Sequence, residues 1–490
     1  VLGAEDAMVL AAVLGLPWFW GGVELSAYRS AAALIGLAAG WVLMRRGASG
    51  LGFSRGILWL TPAFLLGAWA FAQTLPLPRA WVEHLSPNAA RLQAEAFGPA
   101  GGDSVSWLRQ IEADARALVP EAEGLVAQRS DPLALGPGAP PPPQRFTLSL
   151  LPAVTFERAC WYAALLLAFL VVQERAANPA RAVLYRLMLF ASFGVLAVIG
   201  LLNFITAPTR LVWLRDAPEG TRPFGPYVNP SHFAGVMELA VPWLLGYGLA
   251  GLVDSGDRNR HRTPRVLALV AAGVCAAAAV VAASKMAVTT IALTCVVLIT
   301  VASARSRGRA RVVLLAGMAF AALLMSALAV YGPLRGRIVD FAGLGADGTA
   351  PTLRGHAWSA ALRLARDYPW AGSGFGALSE VLPAYTPPGE TGVWAQLHND
   401  YLELYVAGGL TAVVLASWLV VAFAHRVWRV SRREASRGRW LPTLGMALGL
   451  VALAVHESVD FNLQIPANAL LSVVIAAMLV SPLVRWERMA

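Results

Sequence analysis

Apolar runs of about 20 residues recur along this chain, and they constrain its fold more than any other feature. In hydrocarbon every backbone N–H and C=O needs an internal partner, so each run is read as a membrane helix. Composition supports this: 57% of the 490 residues are hydrophobic and 14% are charged, more apolar surface than a soluble fold hides. The expected fold is an all-α integral membrane protein of about 12 transmembrane helices with two long periplasmic loops.

Hydropathy places the spans near 7–22, 27–44, 57–75, 155–173, 183–204, 232–252, 265–283, 286–304, 312–330, 400–424, 440–456 and 465–484. The chain then divides into helices 1–3 (1–75), a first loop (76–154), helices 4–9 (155–330), a large loop with an amphipathic helix (331–399), and helices 10–12 with a tail (400–490). The first loop holds "LGPGAPPPPQR", a stiff extended tether. The first apolar run has no basic lead and no small-residue cleavage site, so it is kept as a span. Cys160, Cys275 and Cys295 fall inside apolar runs without metal-ligand spacing and read as small core residues.

Charge orients the spans. Alternate short loops such as "DSGDRNRHRTPR", "RSRGRAR" and "RVWRVSRREASRGR", with both termini, carry 22 of the 39 basic residues and only 7 of the 29 acids. The positive-inside rule therefore puts both termini in the cytoplasm and both long loops outside. The net charge of +10 is a topology signal. The arginine runs are short and lack interleaved aromatics, so nothing calls for nucleic acid.

With this topology the polar exceptions gather at the outer face. Arg222 leads a Pro/Gly-rich turn, and "NPSH" then starts a helix with His232 in its first turn. Glu238 lies almost two turns further in, where an ionisable group is costly and is a functional candidate. Its plainer reading is a satisfied polar contact with a neighbouring helix. Lys285, in the outer turn "AASKMA", is the sole lysine of the chain. It reads either as a side chain snorkelling to the interface or as a fixed cation for an anionic headgroup. In "LRGHAWSAALRLARDYPWAGSGFG", Arg354 and Trp358 are four residues apart, and with Leu362 they share one face of an amphipathic helix. That helix either rests at the interface or presents Arg354 to a ligand.

"LHNDYLELYVAGGL" sets His398 at a helix start on the outer side. A neutral imidazole there accepts a proton, so His398 is a candidate general base; its plainer reading is a capping residue. Asn399, Asp400 and Glu403 are close enough in sequence to orient it, and Asp400 or Glu403 would inherit the role without it. Gly408-Gly409 invites close approach of another helix. "HESVDFNLQIPANAL" adds His456, Glu457 and Asp460 at another outer edge. Fixed cations with one base suit a lipid pyrophosphate, whose leaving group gains negative charge as a glycosyl bond breaks. The nearest acid pairs, Glu112/Asp114 and Glu121/Glu123, sit in a soluble-looking stretch, so no metal and no other cofactor is expected.

"GPYVNPSHFAG", the "SK" turn, "LRGHAWSAALRLARDYPWAGSGFG", "LHNDYLELYVAGGL" and "HESVDFNLQIPANAL" resemble, in order, recurring blocks of the O-antigen ligase and polysaccharide polymerase family of membrane glycosyltransferases, over about residues 145–485. The resemblance implies an undecaprenyl-pyrophosphate-linked glycan donor, a glycan or lipid A-core acceptor, and a bacterial inner-membrane location. It also implies that His398 is the functional histidine and Arg354 a pyrophosphate contact; Lys285 and Arg222, read from their outer-face charge, are the other candidate pyrophosphate contacts. One position departs: Ser284-Lys285 stands where the family usually has Ser-Arg, so charge is kept and the bidentate fork lost. The expected activity is inverting, metal-independent glycan transfer on the periplasmic face. The alternative is a 12-span transporter of a lipid-linked glycan or other anionic substrate, for which repeated halves and broken spans around midplane polar sites would be the mark.

Overall fold

The computed structural model describes residues 3–47, 55–97, 145–253, 262–306, 349–386, 394–435 and 440–481. The predicted span at 312–330, the proline tether and the acid pairs Glu112/Asp114 and Glu121/Glu123 lie outside the described residues. In chain order the main helices are α1 (Ala4–Gly15), α2 (Leu25–Arg46), α3 (Thr61–Ala72), α4 (Arg79–Leu85), α5 (Pro87–Phe97), α6 (Pro152–Arg175), α7 (Pro179–Thr206), α8 (Pro230–Val253), α9 (Arg262–Ala282), α10 (Lys285–Arg305), α11 (Thr349–Asp367), α12 (Leu378–Val381), α13 (Asp400–Ala435), α14 (Leu441–His456) and α15 (Pro466–Val480). Two-residue strands pair antiparallel, β1 (Leu77–Pro78) with β2 (Arg145–Phe146) and β3 (Arg210–Leu211) with β4 (Arg215–Asp216).

Among the described residues seven helices, α2, α6, α7, α8, α9, α10 and α13, are long and apolar enough to cross a membrane, and α14 and α15 are shorter apolar helices. This is an all-α, multi-pass membrane protein. The expected first and third spans are realised differently. α1 stops at Gly15 and gives way to 3-10 turns over Leu16–Trp18 and Trp20–Gly22, because Pro17 lacks a donor and Gly21 sits at φ 74°. The third begins as a 3-10 segment over Arg55–Leu60 before Thr61 opens α3.

α8 is the hub. It is buried over 83% of its span, against 28–44% for the other six, and packs on α9, α10 and α14. The approach to α14 is close: a Cβ on Gly445 would meet the Pro242 carbonyl at 2.3 Å. An ionic cluster, absent from the expectations above, closes the end of the bundle where α1 and α7 begin. Arg175 is fully buried and bonds Glu5 at 2.7 Å and both oxygens of Asp6 at 3.0 Å, with Arg181 and Tyr185 joining Asp6.

At the opposite end, the described parts of the two long loops fold together. Val82, Ala89 and Phe146 from the first share a core with Ala357, Ala361 and Leu364 of α11 and with Tyr368 just after it. The buried stripe of α11 is thus built from small residues and Leu364. Leu362 continues the four-residue spacing of Arg354 and Trp358 along α11 and is 46% exposed. The cysteine expectation needs correcting: Cys275 is buried in the core, while Cys160 is exposed on α6.

At Gly408-Gly409 the closest approach is made by a loop, with α3 packed alongside. Gly409 adopts φ 66°, ψ −173°, which breaks α13, and the strap "YPWAGSG" docks at the break. Ser373 and Gly374 donate backbone N–H to the carbonyls of Val406 and Ala407 at 2.9 and 3.0 Å, and Leu410 N–H donates to Pro369. From α3 and its end, Trp69 donates to Gly408 and Gln73 donates to Ala371 and Ala407. A broken apolar helix must have its freed polar groups satisfied by protein, and here a loop does so. The break fixes the stub Asp400–Ala407, and with it the residues just before it.

Candidate functional site

Three helix starts and one helix end converge at the loop-covered end of the bundle: α8, α10, α13 and α14. The start of α8 is set by Asn229, whose side chain accepts from Ser231 N–H at 2.9 Å, and this places His232 in the first turn. Asn468 of α15 donates to the His232 carbonyl at 2.8 Å and to Asn462 at 3.0 Å, while the buried Tyr227 hydroxyl donates to Asn468.

Asp460 lies in the turn between α14 and α15, and three imidazoles face its carboxylate. His398 Nδ1 is 3.4 Å from Oδ1, His232 Nε2 is 3.6 Å from Oδ1, and His456 Nε2 is 3.4 Å from Oδ2. For His398 and His232 these are electrostatic contacts rather than well-formed hydrogen bonds, since both nitrogens are buried without a hydrogen-bond partner. Burial alone would raise the Asp460 carboxyl, but the surrounding imidazoles overcome it and hold Asp460 well below the usual carboxylate range. The Phe461 ring stands edge-on between two of them, with centroids 4.5 Å from His232 and 4.7 Å from His398.

The chain of polar groups continues inward. His456 Nδ1 is 2.9 Å from Glu238 Oε2, and Thr290 of α10 donates its hydroxyl to Glu238 Oε1. Glu238 is therefore both deeply buried and satisfied from two helices, which joins the two readings its position allowed.

His398 is held from both sides. Its backbone is at φ 51°, a left-handed conformation that costs a non-glycine residue and persists only where neighbours enforce it. Trp358 Nε1 donates to the Leu397 carbonyl at 2.8 Å, and Glu403 accepts from Leu397 N–H at 3.1 Å. On the other side, Asn399 caps α13 by accepting from Leu402 N–H at 3.0 Å. One turn of α11 away from Trp358, Arg354 donates to the Val459 carbonyl at 3.3 Å, beside Asp460. The four-residue spacing of Arg354 and Trp358 thus bridges the two segments that bring His398 to Asp460.

The His398 side chain is 26% exposed while its Nδ1 is buried, so the open part of the ring is the Nε2 edge. With Nδ1–H turned to Asp460, Nε2 presents a lone pair outward. That assignment of the tautomer follows from the partner rather than from a hydrogen position.

His232, Glu238, Arg354, Trp358, His398, His456 and Asp460 are brought together. Asp400 turns instead towards Glu457, and Glu403 towards the backbone of Leu397. Lys285 is the first residue of α10, five positions and so about 7.5 Å along the axis from the Thr290–Glu238 contact. It is exposed at the same end of the bundle, after a turn in which Ala283 takes φ 60°. Arg222 lies exposed on the loop before α8, and among the described residues no hydrogen bond or ion pair ties it to the cluster. Sequence adjacency pointed to Asp400 and Glu403 as orienting acids. The structure puts Asp460, 62 residues away, in that place, a pairing that no local spacing encodes. Among the described residues no group of His, Cys, Asp and Glu forms a metal-binding set.

Residues 267–417 match the family described as O-antigen ligase. The matched stretch holds Lys285, Arg354, Trp358 and His398, and stops before His456 and Asp460. No curated protein matches the chain.

Proposed function

We propose, from the premise that this chain carries an O-antigen ligase family domain at residues 267–417, that it transfers a glycan from an undecaprenyl-pyrophosphate donor to an acceptor hydroxyl at the periplasmic face of the inner membrane. The observation that carries this reading is the buried His398 Nδ1–Asp460 contact at 3.4 Å, which leaves Nε2 open as a base. His398 Nε2 takes the proton of the acceptor hydroxyl as that oxygen attacks the anomeric carbon. Asp460 orients the ring and stabilises the imidazolium that forms. The C–O bond to the pyrophosphate breaks on the opposite side, inverting the anomeric centre, and the leaving group carries away the bonding pair.

Arg354 stands next to Asp460 and Lys285 at the start of α10, and both supply positive charge for the pyrophosphate. Arg222, exposed on the loop before α8, is proposed as a further pyrophosphate contact. His232 and His456 keep Asp460 ionised and in place. Both termini are assigned to the cytoplasm, with about 12 spans in all.

The acceptor is either lipid A-core, as for a ligase, or another growing glycan, as for a polymerase. The test is the lipopolysaccharide ladder of a strain lacking the protein. Core alone, with lipid-linked chains accumulating, supports the ligase; core bearing a single repeat unit supports the polymerase. An unchanged ladder together with unchanged exported polysaccharide overturns both.

A further inference from the structure

Close to the histidine cluster lies a pair of acids that the transfer step does not use. Asp400 opens α13, and Glu457 follows the last residue of α14. Both are buried, Asp400 to 8% and Glu457 to 0% exposure. Their backbones are joined, Asp400 N–H donating to the Glu457 carbonyl at 3.0 Å. Their side chains converge on one donor: Leu463 N–H is 3.1 Å from Asp400 Oδ2 and 3.4 Å from Glu457 Oε2. Each keeps one buried oxygen without a partner, Asp400 Oδ1 and Glu457 Oε1.

The groups around the pair do not neutralise it. Asp460 shares its turn, Glu403 and Tyr401 follow on α13, and Tyr162 faces it from α6. His456 is adjacent in sequence, but its imidazole is held by Glu238 and Asp460. Arg158 of α6 acts on Glu403 and Tyr162. Two ionised carboxylates sharing a buried site repel, whereas one proton between them makes a short charge-assisted bond.

We propose that Asp400 and Glu457 share one proton, and that this carboxyl–carboxylate latch holds the His398 segment against the turn that carries Asp460. Asp400 is two residues after His398, and Glu457 is three before Asp460, so the latch fixes the separation of base and orienting acid. Both are positioning residues of the transfer reaction, and this role rests on the transferase reading above. Burial keeps the Glu457 carboxyl above the ordinary carboxylate range, in keeping with a retained proton. Loss of that proton at alkaline pH leaves two buried anions, which push the two segments apart and slow transfer.

The experiment uses the full-length protein in lipid nanodiscs. First, the infrared carboxylic-acid C=O band of the wild type is followed from neutral to alkaline pH, and compared with Asp400→Asn and Glu457→Gln. A component of the band that is present at neutral pH, disappears on alkalinisation and is missing from both variants is expected, apart from any contribution of the buried Glu403, which both variants keep. Second, kcat is measured against pH with a lipid-linked glycan donor. Asparagine at 400 donates to Glu457 without titrating, so the alkaline limb should move up by about one pH unit or more while KM for the donor stays. No component of the wild-type band that both variants lack, or alkaline limbs that coincide in all three proteins, overturns the latch. If the band behaves as expected but none of the proteins transfers glycan, the latch stands and the transferase reading falls.

Discussion

Trp358 Nε1 and the Leu397 carbonyl are 2.8 Å apart, and that one bond ties α11 to the peptide that enters His398. Because His398 holds a left-handed backbone, the segment needs such restraints to keep its ring facing Asp460. Trp358→Phe retains the aromatic packing and removes the donor. A hydrogen bond is worth about 0.5–1.5 kcal/mol net, and ~1.4 kcal/mol is tenfold in rate. The expected outcome is a kcat lower by up to about tenfold, with donor KM and expression near wild type. A variant at full rate would remove Trp358 from the positioning set.

Asp460 offers a pH test as well as a kinetic one. Its carboxyl titrates lower in the folded protein than the ~3.9 of an unfolded aspartate. Its stabilising contribution is therefore complete above that value and is lost as pH falls towards the folded one. Thermal midpoints of the purified protein should drop on acidification below about pH 4, and the drop should be shallower in Asp460→Asn. The same variant should lose transfer by about 10²-fold or more, since an unoriented imidazole is a poor base. Wild-type and variant midpoints falling in parallel would contradict the ionised assignment.

Lys285 separates charge from geometry. If the start of α10 has only to present a cation to pyrophosphate, Lys285→Arg keeps most of the activity and Lys285→Ala loses most of it. Arg354 differs, because its guanidinium also donates to Val459. Arg354→Lys should therefore raise donor KM and lower kcat together. Alanine at 285 with wild-type kinetics would return Lys285 to a snorkelling side chain.

Much of this site is legible in the sequence because ionisable residues are rare in apolar runs. Glu238, His398 and His456 stand out on that ground alone, and the four-residue spacing of Arg354 and Trp358 gives their shared face. What stays hidden is long-range. Asp460 pairs with His398 through the way α13 and α14 meet, and the buried Arg175–Asp6 pair joins residues 169 positions apart. Local pattern also misleads where backbone chemistry decides. The apolar run of α13 reads as one span, yet Gly409 breaks it so that a loop can dock. The run at 7–22 likewise ends early at Pro17.

His398 carries the decisive prediction. In the proposed step its Nε2 removes a proton from the acceptor hydroxyl, and general base catalysis typically contributes ~10²–10⁴-fold. His398→Ala should lower kcat by about that factor and leave donor binding intact, since in the proposed function the lipid pyrophosphate is assigned to Arg354, Lys285 and the apolar helices. His398→Gln places an amide against Asp460 and keeps the local packing, but it takes up no proton, so it should be nearly as slow as alanine. A residue that merely organises the start of α13 behaves otherwise: alanine would lower folded yield, and glutamine would restore the rate. The measurement is single-turnover transfer and donor affinity on purified variants that elute as folded monodisperse protein. A glutamine variant within a few-fold of wild type would remove His398 as the base. A slow glutamine variant with wild-type donor affinity places the proton transfer on this imidazole and leaves Asp460 as its orienting partner.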